Sequence, residues 1–132
     1  MARTRKSGLA FLDTHIVCWL YEGRVDLLSQ SAIAAIEQNQ VCVSPIVRLE
    51  LEYLHEIGRI RLGAHAILAT LNEEIGLRVE DASFASIIEH AAKQTWTRDP
   101  FDRIITAHAL MARASLITKD QVIRNNFTGA IW

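Results

Sequence analysis

Leu9-Ala10-Phe11-Leu12 is a short apolar run that leads directly into Asp13. An apolar run without polar alternation predicts a strand that is covered on both faces, as in a parallel sheet. Segments 41–43 and 115–118 are further predicted strands, and Asp120 follows the second of them by one lysine. Because ligands bind beyond the carboxyl ends of parallel strands, we expect Asp13 and Asp120 to lie at such a site.

Segments with helical spacing separate the predicted strands. The expected helices cover residues 14–21, 29–39, 44–57, 65–74, 83–94, 99–114 and 121–127. Weaker strands are expected at 77–79 and 130–132. Ser44-Pro45 has the form of a helix start, with a capping hydroxyl and a proline in the first turn. This alternation predicts an α/β fold with a mainly parallel sheet.

The 132 residues, half of them hydrophobic, are near the common size of one domain. We assign residues 8–132 to this domain. Residues 1–7 carry Arg3, Arg5 and Lys6 and are interpreted as a flexible, solubilising tail, with a phosphate-contacting arm as the alternative. The net charge of −1 gives no general attraction to polyanions, so a polyanion must be held locally.

Cys18 and Cys42 lie in apolar surroundings without metal-ligand spacing, which predicts buried thiols in a reducing compartment. No apolar run approaches the length of a membrane span, and no signal-peptide segment follows the N-terminal charges. We therefore expect a soluble, cytoplasmic protein without membrane association. Helix-surface or capping roles are expected for all the histidines, which are His15, His55, His65, His90 and His108.

Glu50 gives the strongest single-residue argument for a functional site. With Ile46 placed at 0°, the apolar positions of its helix span from about 300° through 0° to about 140°. Glu50 falls at about 40°, near the middle of that arc. A glutamate on an apolar face is seldom buried unpaired, so it forms an ion pair, lines a polar cleft or binds a cation. We favour the cleft over a structural ion pair.

The aspartates have a simpler alternative explanation as helix caps. Asp99-Pro100 has the form of a helix start, and Asp102 follows in the first turn, where it faces the helix dipole. Asp102 shares a helix stripe with Thr106, Ala109 and Arg113, which suggests one open side. Asp13 and Asp120 could each cap the helix that follows them. Capping does not explain Glu50, nor the convergence of acids from several elements.

Electrostatics limits what a cluster of these acids can be. Two carboxylates about 5 Å apart repel by roughly 3 kcal/mol at an effective dielectric constant near 20. A shared cleft therefore requires protonation or a bound cation. Hard oxygen ligands without clustered Cys or His favour Mg²⁺ or Mn²⁺. Such ions activate water and hold both oxygens of a phosphodiester displacement, so the chemistry expected is metal-assisted phosphodiester hydrolysis.

Four segments, in order along the chain, resemble the motifs of PIN-domain ribonucleases, especially the VapC toxins of bacterial toxin–antitoxin pairs. The first is Phe11-Leu12-Asp13-Thr14-His15 and its continuation to Leu20, and the second is the stretch 43–50, ending in Glu50. The third is Arg98-Asp99-Pro100-Phe101-Asp102-Arg103 with residues 104–107, and the fourth is Leu116-Ile117-Thr118-Lys119-Asp120. One such motif is weak evidence, but four in order are specific.

The resemblance implies a PIN-like three-layer fold with a five-stranded, mainly parallel sheet flanked by helices. It also implies an acidic Mg²⁺ or Mn²⁺ site, cleavage of RNA, a homodimer and neutralisation by a small antitoxin protein. Carried over by position, the site acids are Asp13, Glu50, Asp102 and Asp120. Thr118 and Asp99 are the supporting residues that the resemblance adds.

Basic residues beside these acids are candidates for binding RNA phosphates, with solvated surface charge as the alternative. They are Arg48, Arg98, Arg103 and Lys119. Two other functions stay open. One is a Mg²⁺-dependent phosphoacceptor signalling domain, for which Lys119 fits but the Asp13-Thr14 pair does not. The other is a catalytically inactive dimerising module, which a salt-bridged Glu50 far from Asp13 would favour.

Overall fold

The computed structural model describes residue 6 and residues 8–132. The strands are β1 (Leu9–Leu12), β2 (Gln40–Val43), β3 (Arg78–Val79), β4 (Ser115–Ile117) and β5 (Ala130–Ile131). The helices are α1 (Thr14–Tyr21), α2 (Gln30–Gln38), α3 (Pro45–Glu56), α4 (Ala64–Ile75), α5 (Phe84–Ala91), α6 (Pro100–Met111) and α7 (Gln121–Asn126). Of the predicted tail, Lys6 is exposed, and Arg3 and Arg5 lie outside the described residues.

The strands form one sheet in the order β3-β2-β1-β4-β5, and each neighbouring pair is parallel. This confirms the predicted α/β fold with a five-stranded parallel sheet flanked by helices. The chain builds the sheet outward from β1 to β3 and then returns to the other side of β1 with β4. The carboxyl ends of β1 and β4 therefore mark the topological switch point, which is where parallel sheets place their ligands.

The core lies where β1 and β4 meet the helices. Phe11 and Leu12 of β1 and Leu116 and Ile117 of β4 have no exposed surface, as expected for strands covered on both faces. The two cysteines, Cys18 on α1 and Cys42 on β2, are free and buried, as predicted. Burial raises the pKa of the Cys42 thiol to about 12, so this thiol stays protonated.

Helix α3 buries less of its apolar surface than its sequence pattern suggests. Val47 and Leu51 are fully buried. Leu49, Tyr53 and Ile57, which belong to the same apolar arc, keep 58%, 50% and 50% of their surface exposed. The arc therefore contains a core-facing part and an uncovered part, a division that periodicity alone does not reveal.

The opposite side of α3 anchors the next helix. The carboxylate of Glu52 accepts a hydrogen bond from the backbone N–H of Ala64, with 2.6 Å between the two atoms, at the first residue of α4. A Cβ at Gly63 would lie 2.6 Å from the same carboxylate oxygen, so glycine at this position lets the Glu52 side chain lie this close to the backbone. Glu52 thus fixes the start of α4.

Three expectations about α3 and α6 were wrong. The Ser44 hydroxyl does not cap α3 but lies 2.9 Å from Nδ1 of His108, and both residues are buried. His108 is consequently a core residue, not a helix-surface one, and burial lowers the pKa of its imidazole. Thr106 and Ala109 also have no exposed surface, so the predicted open side of α6 is closed along this stripe.

Helix α5 is shorter than predicted and ends at Ala91. The Arg103 guanidinium donates hydrogen bonds to the carbonyl oxygens of Ala91 and Ala92, each at 3.0 Å. A cation at the carbonyl end of a helix pairs with carbonyl oxygens that lack a hydrogen bond within the helix, and it interacts favourably with the helix dipole.

Within the described part of the chain, no helix is long and apolar enough to span a bilayer.

Candidate active site

Asp13 occupies the switch point of the sheet and is 4% exposed. Its backbone N–H donates to the carbonyl of Ile117 at the end of β4, at 3.0 Å. Its Oδ1 accepts a 2.8 Å hydrogen bond from the Thr14 N–H, which caps α1. Its Oδ2 accepts a 2.6 Å hydrogen bond from the Thr118 hydroxyl. Residues that follow two neighbouring strands therefore fix this carboxylate in place.

Glu50 reaches the same region from α3. Its Oε1 accepts a hydrogen bond from the Thr14 hydroxyl at 2.5 Å. Burial raises the pKa of Glu50, the Thr14 hydrogen bond opposes this shift, and the charges of Asp13 and Asp99 add to it. The predicted cleft location is supported, because no ion pair among the described residues engages Glu50.

Thr14 links the two acids, a role that the sequence motifs did not indicate. The signal for it is the placement of a hydroxyl residue directly after Asp13, in the first turn of α1. A short hydroxyl side chain at that point can reach a neighbouring helix while the backbone N–H is satisfied by the capping aspartate.

Asp99 and Asp120 are helix caps, as their positions suggest. Asp99 accepts hydrogen bonds from the N–H groups of Phe101 and Asp102 at the start of α6. Asp120 accepts from two N–H groups at the start of α7, and its own N–H donates to the Thr118 hydroxyl at 3.0 Å. Thr118 is therefore shared between the two acids that follow β1 and β4.

Asp102 is not a cap, which corrects the explanation that seemed simplest for it. Asp99 already satisfies the first N–H groups of α6, including that of Asp102 itself. Among the described residues, the Asp102 carboxylate has no hydrogen bond or ion pair. Burial raises its pKa to about 7, and the charges of Asp13, Asp99, Asp120 and Glu50 contribute in that order. This carboxylate is held among other acids without a neutralising partner.

These acids converge on one cavity of about 320 Å³. Its lining residues are Asp13, Thr14, His15, Cys18, Glu50, Leu54, Asp99, Asp102 and Asp120. Five carboxylates and no lysine or arginine line it. Within the described residues, no His, Cys, Asp and Glu side chains form a ready-made metal-binding group. The donor set nevertheless fits a hard cation, because its oxygens are carboxylates and the Asp102 oxygens are free.

Comparison with known proteins identifies the family. The model of the PIN domain family matches residues 10–126 of this chain. The chain belongs to the PIN domain family. The predicted resemblance to VapC-type toxins is also confirmed, because the chain is 31% identical to ribonuclease VapC22 of Mycobacterium tuberculosis over 121 residues. That alignment covers 87% of this chain and 89% of the relative.

Solved structures share the fold of this PIN domain. A toxin–antitoxin complex from Klebsiella pneumoniae aligns with a TM-score of 0.64 at 23% identity, covering 93% of this chain and 96% of the other. VapBC2 from Rickettsia felis, bound to a DNA fragment from its promoter, aligns with a TM-score of 0.60 at 18% identity. It covers 89% of this chain and 92% of the other.

The basic candidates differ in their distance from the acidic cavity of the PIN domain. Lys119 adjoins it, because its N–H donates to Nε2 of His15, which lines the cavity. Arg103 is engaged at the end of α5, and Arg98 donates to the Thr95 carbonyl at 3.1 Å. Arg48 lines a separate hollow beside α4. RNA contacts by these four residues stay a prediction.

The raised pKa of Asp102 predicts a specific pH dependence of stability in metal-free protein. The folded pKa of about 7 lies above the ordinary value of 3.8, so folded protein binds more protons than unfolded protein between these pH values. Stability from this group is therefore present at acidic pH and lost as pH rises toward and past 7. With EDTA present, Asp102→Asn should raise the free energy of unfolding at pH 8 and flatten the wild-type decline between pH 4 and 7.

Urea unfolding across that pH range measures this effect. Glu73→Gln, on the exposed part of α4, is the matched control and should follow the wild type at every pH. A loss of stability in Asp102→Asn at pH 8 would contradict the view that Asp102 is held unpaired among like charges.

Proposed function

We propose that this PIN domain is a Mg²⁺- or Mn²⁺-dependent endoribonuclease toxin that is neutralised by a cognate antitoxin. The observation that carries the proposal is the unpaired Asp102 carboxylate, held beside Asp13, Glu50, Asp99 and Asp120 in a cavity without a lysine or arginine. Such an arrangement opposes folding unless a cation occupies it, and this cost is expected where a site serves function.

Asp13, Glu50, Asp102 and Asp120 are the proposed metal ligands and catalytic acids, with Thr118 and Asp99 in support. A bound ion would supply activation of water and neutralisation of the charge on the phosphodiester. The protein's own contribution is positioning. Asp13 is fixed by Thr14 and Thr118, while the free Asp102 carboxylate can adjust to its ligand.

Charge explains why such a cavity needs a cation to bind RNA. A phosphate about 5 Å from one carboxylate is repelled by roughly 3 kcal/mol at an effective dielectric constant near 20, and several carboxylates line this cavity. Lys119, which is exposed and adjoins the cavity through His15, is the best placed of the basic candidates to contact a flanking phosphate.

The alternative functions are less well supported. A phosphoacceptor domain requires free paired acids after the first strand, whereas Asp13 is followed by Thr14, whose hydroxyl is engaged by Glu50. An inactive module would leave Glu50 ion-paired and remote from Asp13. Instead, Thr14 lies between the two acids, which line one cavity, and its hydroxyl and N–H donate to one each.

A groove beside the acidic cavity supports the antitoxin partner. It has a volume of about 550 Å³ between α1 and α4. Its lining residues are Cys18, Tyr21, Glu22, Ile60, Arg61, Leu62 and Ile67. Cys18 lines both the groove and the acidic cavity. We assign the groove to an apolar segment of the antitoxin, from which an arginine extends to the carboxylates. The toxin–antitoxin complexes with the same fold support an antitoxin as the partner.

A second apolar face supports the homodimer. Leu49 of α3, Phe84 of α5 and Ile104 of α6 line one groove of about 380 Å³. Tyr53 of α3 stacks on Phe101 of α6 beside it, with 6.2 Å between ring centroids. Phe84 is 68% exposed. A contiguous apolar face of this kind marks an interaction surface, and we assign it to a second copy of the chain.

The expected cytoplasmic location stays a prediction.

The ribonuclease is tested by incubating a total RNA pool with purified protein and mapping the new RNA ends. Cleavage is expected with Mg²⁺ and lost with EDTA. Asp102→Asn should reduce the rate by on the order of 100-fold or more, because the ion would lose a ligand. Glu73→Gln should cleave like the wild type. Cleavage that survives chelation, or full activity in Asp102→Asn, would refute the metal-dependent site.

The antitoxin groove is tested by co-expressing the chain with the product of its neighbouring gene. Leu62→Asp, at a 44% exposed groove position, should weaken the complex by about 30-fold, because it places a charge in an apolar contact. Leu110→Asp is matched in residue type and exposure but lies on α6, outside the groove, and should leave binding unchanged. Equal binding by both variants would exclude the groove, and no binding by the wild type would exclude this partner.

The dimer face is tested by sedimentation equilibrium. The wild type should be a dimer at micromolar concentration, and Phe84→Asp should be a folded monomer at the same concentration. Val122→Asp, at a 49% exposed position on α7, should stay a dimer. A monomeric wild type, or a dimeric Phe84→Asp, would contradict the assignment.

A further inference from the structure

An aromatic surface continues from the rim of the acidic cavity and has no role in the function proposed so far. His15 lines the cavity, and Trp19 lies one helical turn further along α1. The ring centroids of His15 and Trp19 are 5.0 Å apart, and those of Trp19 and Trp132, which follows β5, are 6.2 Å apart. The Lys119 ammonium lies 5.9 Å from the centre of the Trp19 ring. We call these four residues the aromatic rim.

The aromatic rim is held rigidly. His15 Nε2 accepts a hydrogen bond from the Lys119 backbone N–H at 3.0 Å, so Nδ1 carries the proton of the neutral ring. That nitrogen faces Asp13 Oδ2 at 3.6 Å. The rings of Trp19 and Trp132 pack against the core on one side. Little conformational entropy is therefore lost when a ligand binds to these rings.

The side chains of the aromatic rim are also partly exposed to solvent. Trp19 and Trp132 are only partly buried, and the His15 side chain is 30% exposed. Among the described residues, neither indole N–H has a hydrogen-bond partner, whereas the Trp96 N–H donates to Gln94 at 2.8 Å. Lys119 forms no ion pair with a described carboxylate, although the acidic cavity adjoins it. A purely structural cluster would not need exposed ring surface beside a cation that has no carboxylate partner among the described residues.

We propose that the aromatic rim binds the nucleotide next to the cleaved bond, with its base stacked on Trp19 and its phosphate paired with Lys119. The inference rests on the proposed ribonuclease function and adds a substrate preference to it. A base can stack in this way only if it is unpaired, so the rim selects single-stranded RNA over duplex RNA. It also supplies favourable contacts to a polyanion whose phosphate faces an acidic cavity.

The test measures RNA binding in an Asp102→Asn background with Mg²⁺ present, so that cleavage does not intervene. The probes are fluorescein-labelled 12-nucleotide oligomers of U and of A, and a 12-base-pair RNA duplex. Trp19→Leu should raise the Kd for the single strands by about 5- to 100-fold, the range for one stacked base. Trp19→Phe, which keeps a π surface, should stay near the parent protein. Trp96→Phe is the control outside the rim.

Two further readouts separate stacking from structural damage. Lys119→Gln should reduce the slope of log K against log salt concentration by about 0.7, the value for one phosphate contact on a single strand, while Trp19→Leu should leave that slope unchanged. The Kd for the duplex should be the same in parent and Trp19→Leu proteins. An equal loss of affinity for single strand and duplex would show that Trp19→Leu damages the fold.

The inference and the proposed function fail in different ways. If the wild type cleaves RNA but Trp19→Leu binds single strands like its parent, the aromatic rim is not a base site and the ribonuclease stands. If Trp19 and Lys119 behave as expected but the wild type never cleaves RNA, the base site stands and the nuclease fails. If Trp19→Leu changes capture of the antitoxin but not of RNA, the rim belongs to the protein partner and the inference is overturned.

Discussion

The buried carboxylate of Asp13 is the constraint around which the rest of the molecule is arranged. It lies where β1 and β4 diverge, and it accepts hydrogen bonds from Thr14 and Thr118, while no lysine or arginine lines its cavity. Each further acid near Asp13 adds electrostatic repulsion. The fold nevertheless brings the acids close together, through the ends of the strands, the starts of the helices and the Thr14–Glu50 hydrogen bond. The switch point of the sheet thus becomes a site with strong demand for positive charge.

Much of the fold and of the site was accessible from local sequence. Residues 10–12 and 41–43 of the predicted apolar strands are buried, and the caps Asp13, Asp99 and Asp120 act within three residues of their own positions. The failures involve partners distant in the chain. Ser44 bonds His108 across 64 residues, and Arg103 ends α5 by reaching back to Ala91. Nothing in a helical period specifies such contacts.

Asp102 illustrates the same limit within the site. Its sequence context allowed capping, and that role is excluded only because Asp99 has already satisfied the same N–H groups. The pKa of about 7 then follows from burial beside Asp99 of the same segment and beside acids that belong to three other segments. Likewise, the apolar arc of α3 was visible in sequence, but the division between its buried and uncovered parts depends on where α4 and α6 pack. The acids that line the cavity could be named from sequence, whereas their electrostatic state required the fold.

The residues of helix α3 have four different structural roles, and this restricts how the sequence of the protein can change during evolution. Val47 and Leu51 fill the core, Glu50 faces the acidic cavity, Leu49 and Tyr53 form the uncovered apolar face, and Glu52 anchors α4. Few positions on α3 are free to vary without disturbing one of these contacts. Lineages that acquire new partners would therefore be expected to change the turn around Ile60–Leu62 and the outer surface of α4, and to retain α3. The amount of sequence variation expected in each helix thus depends on how many contacts and surfaces its residues already form.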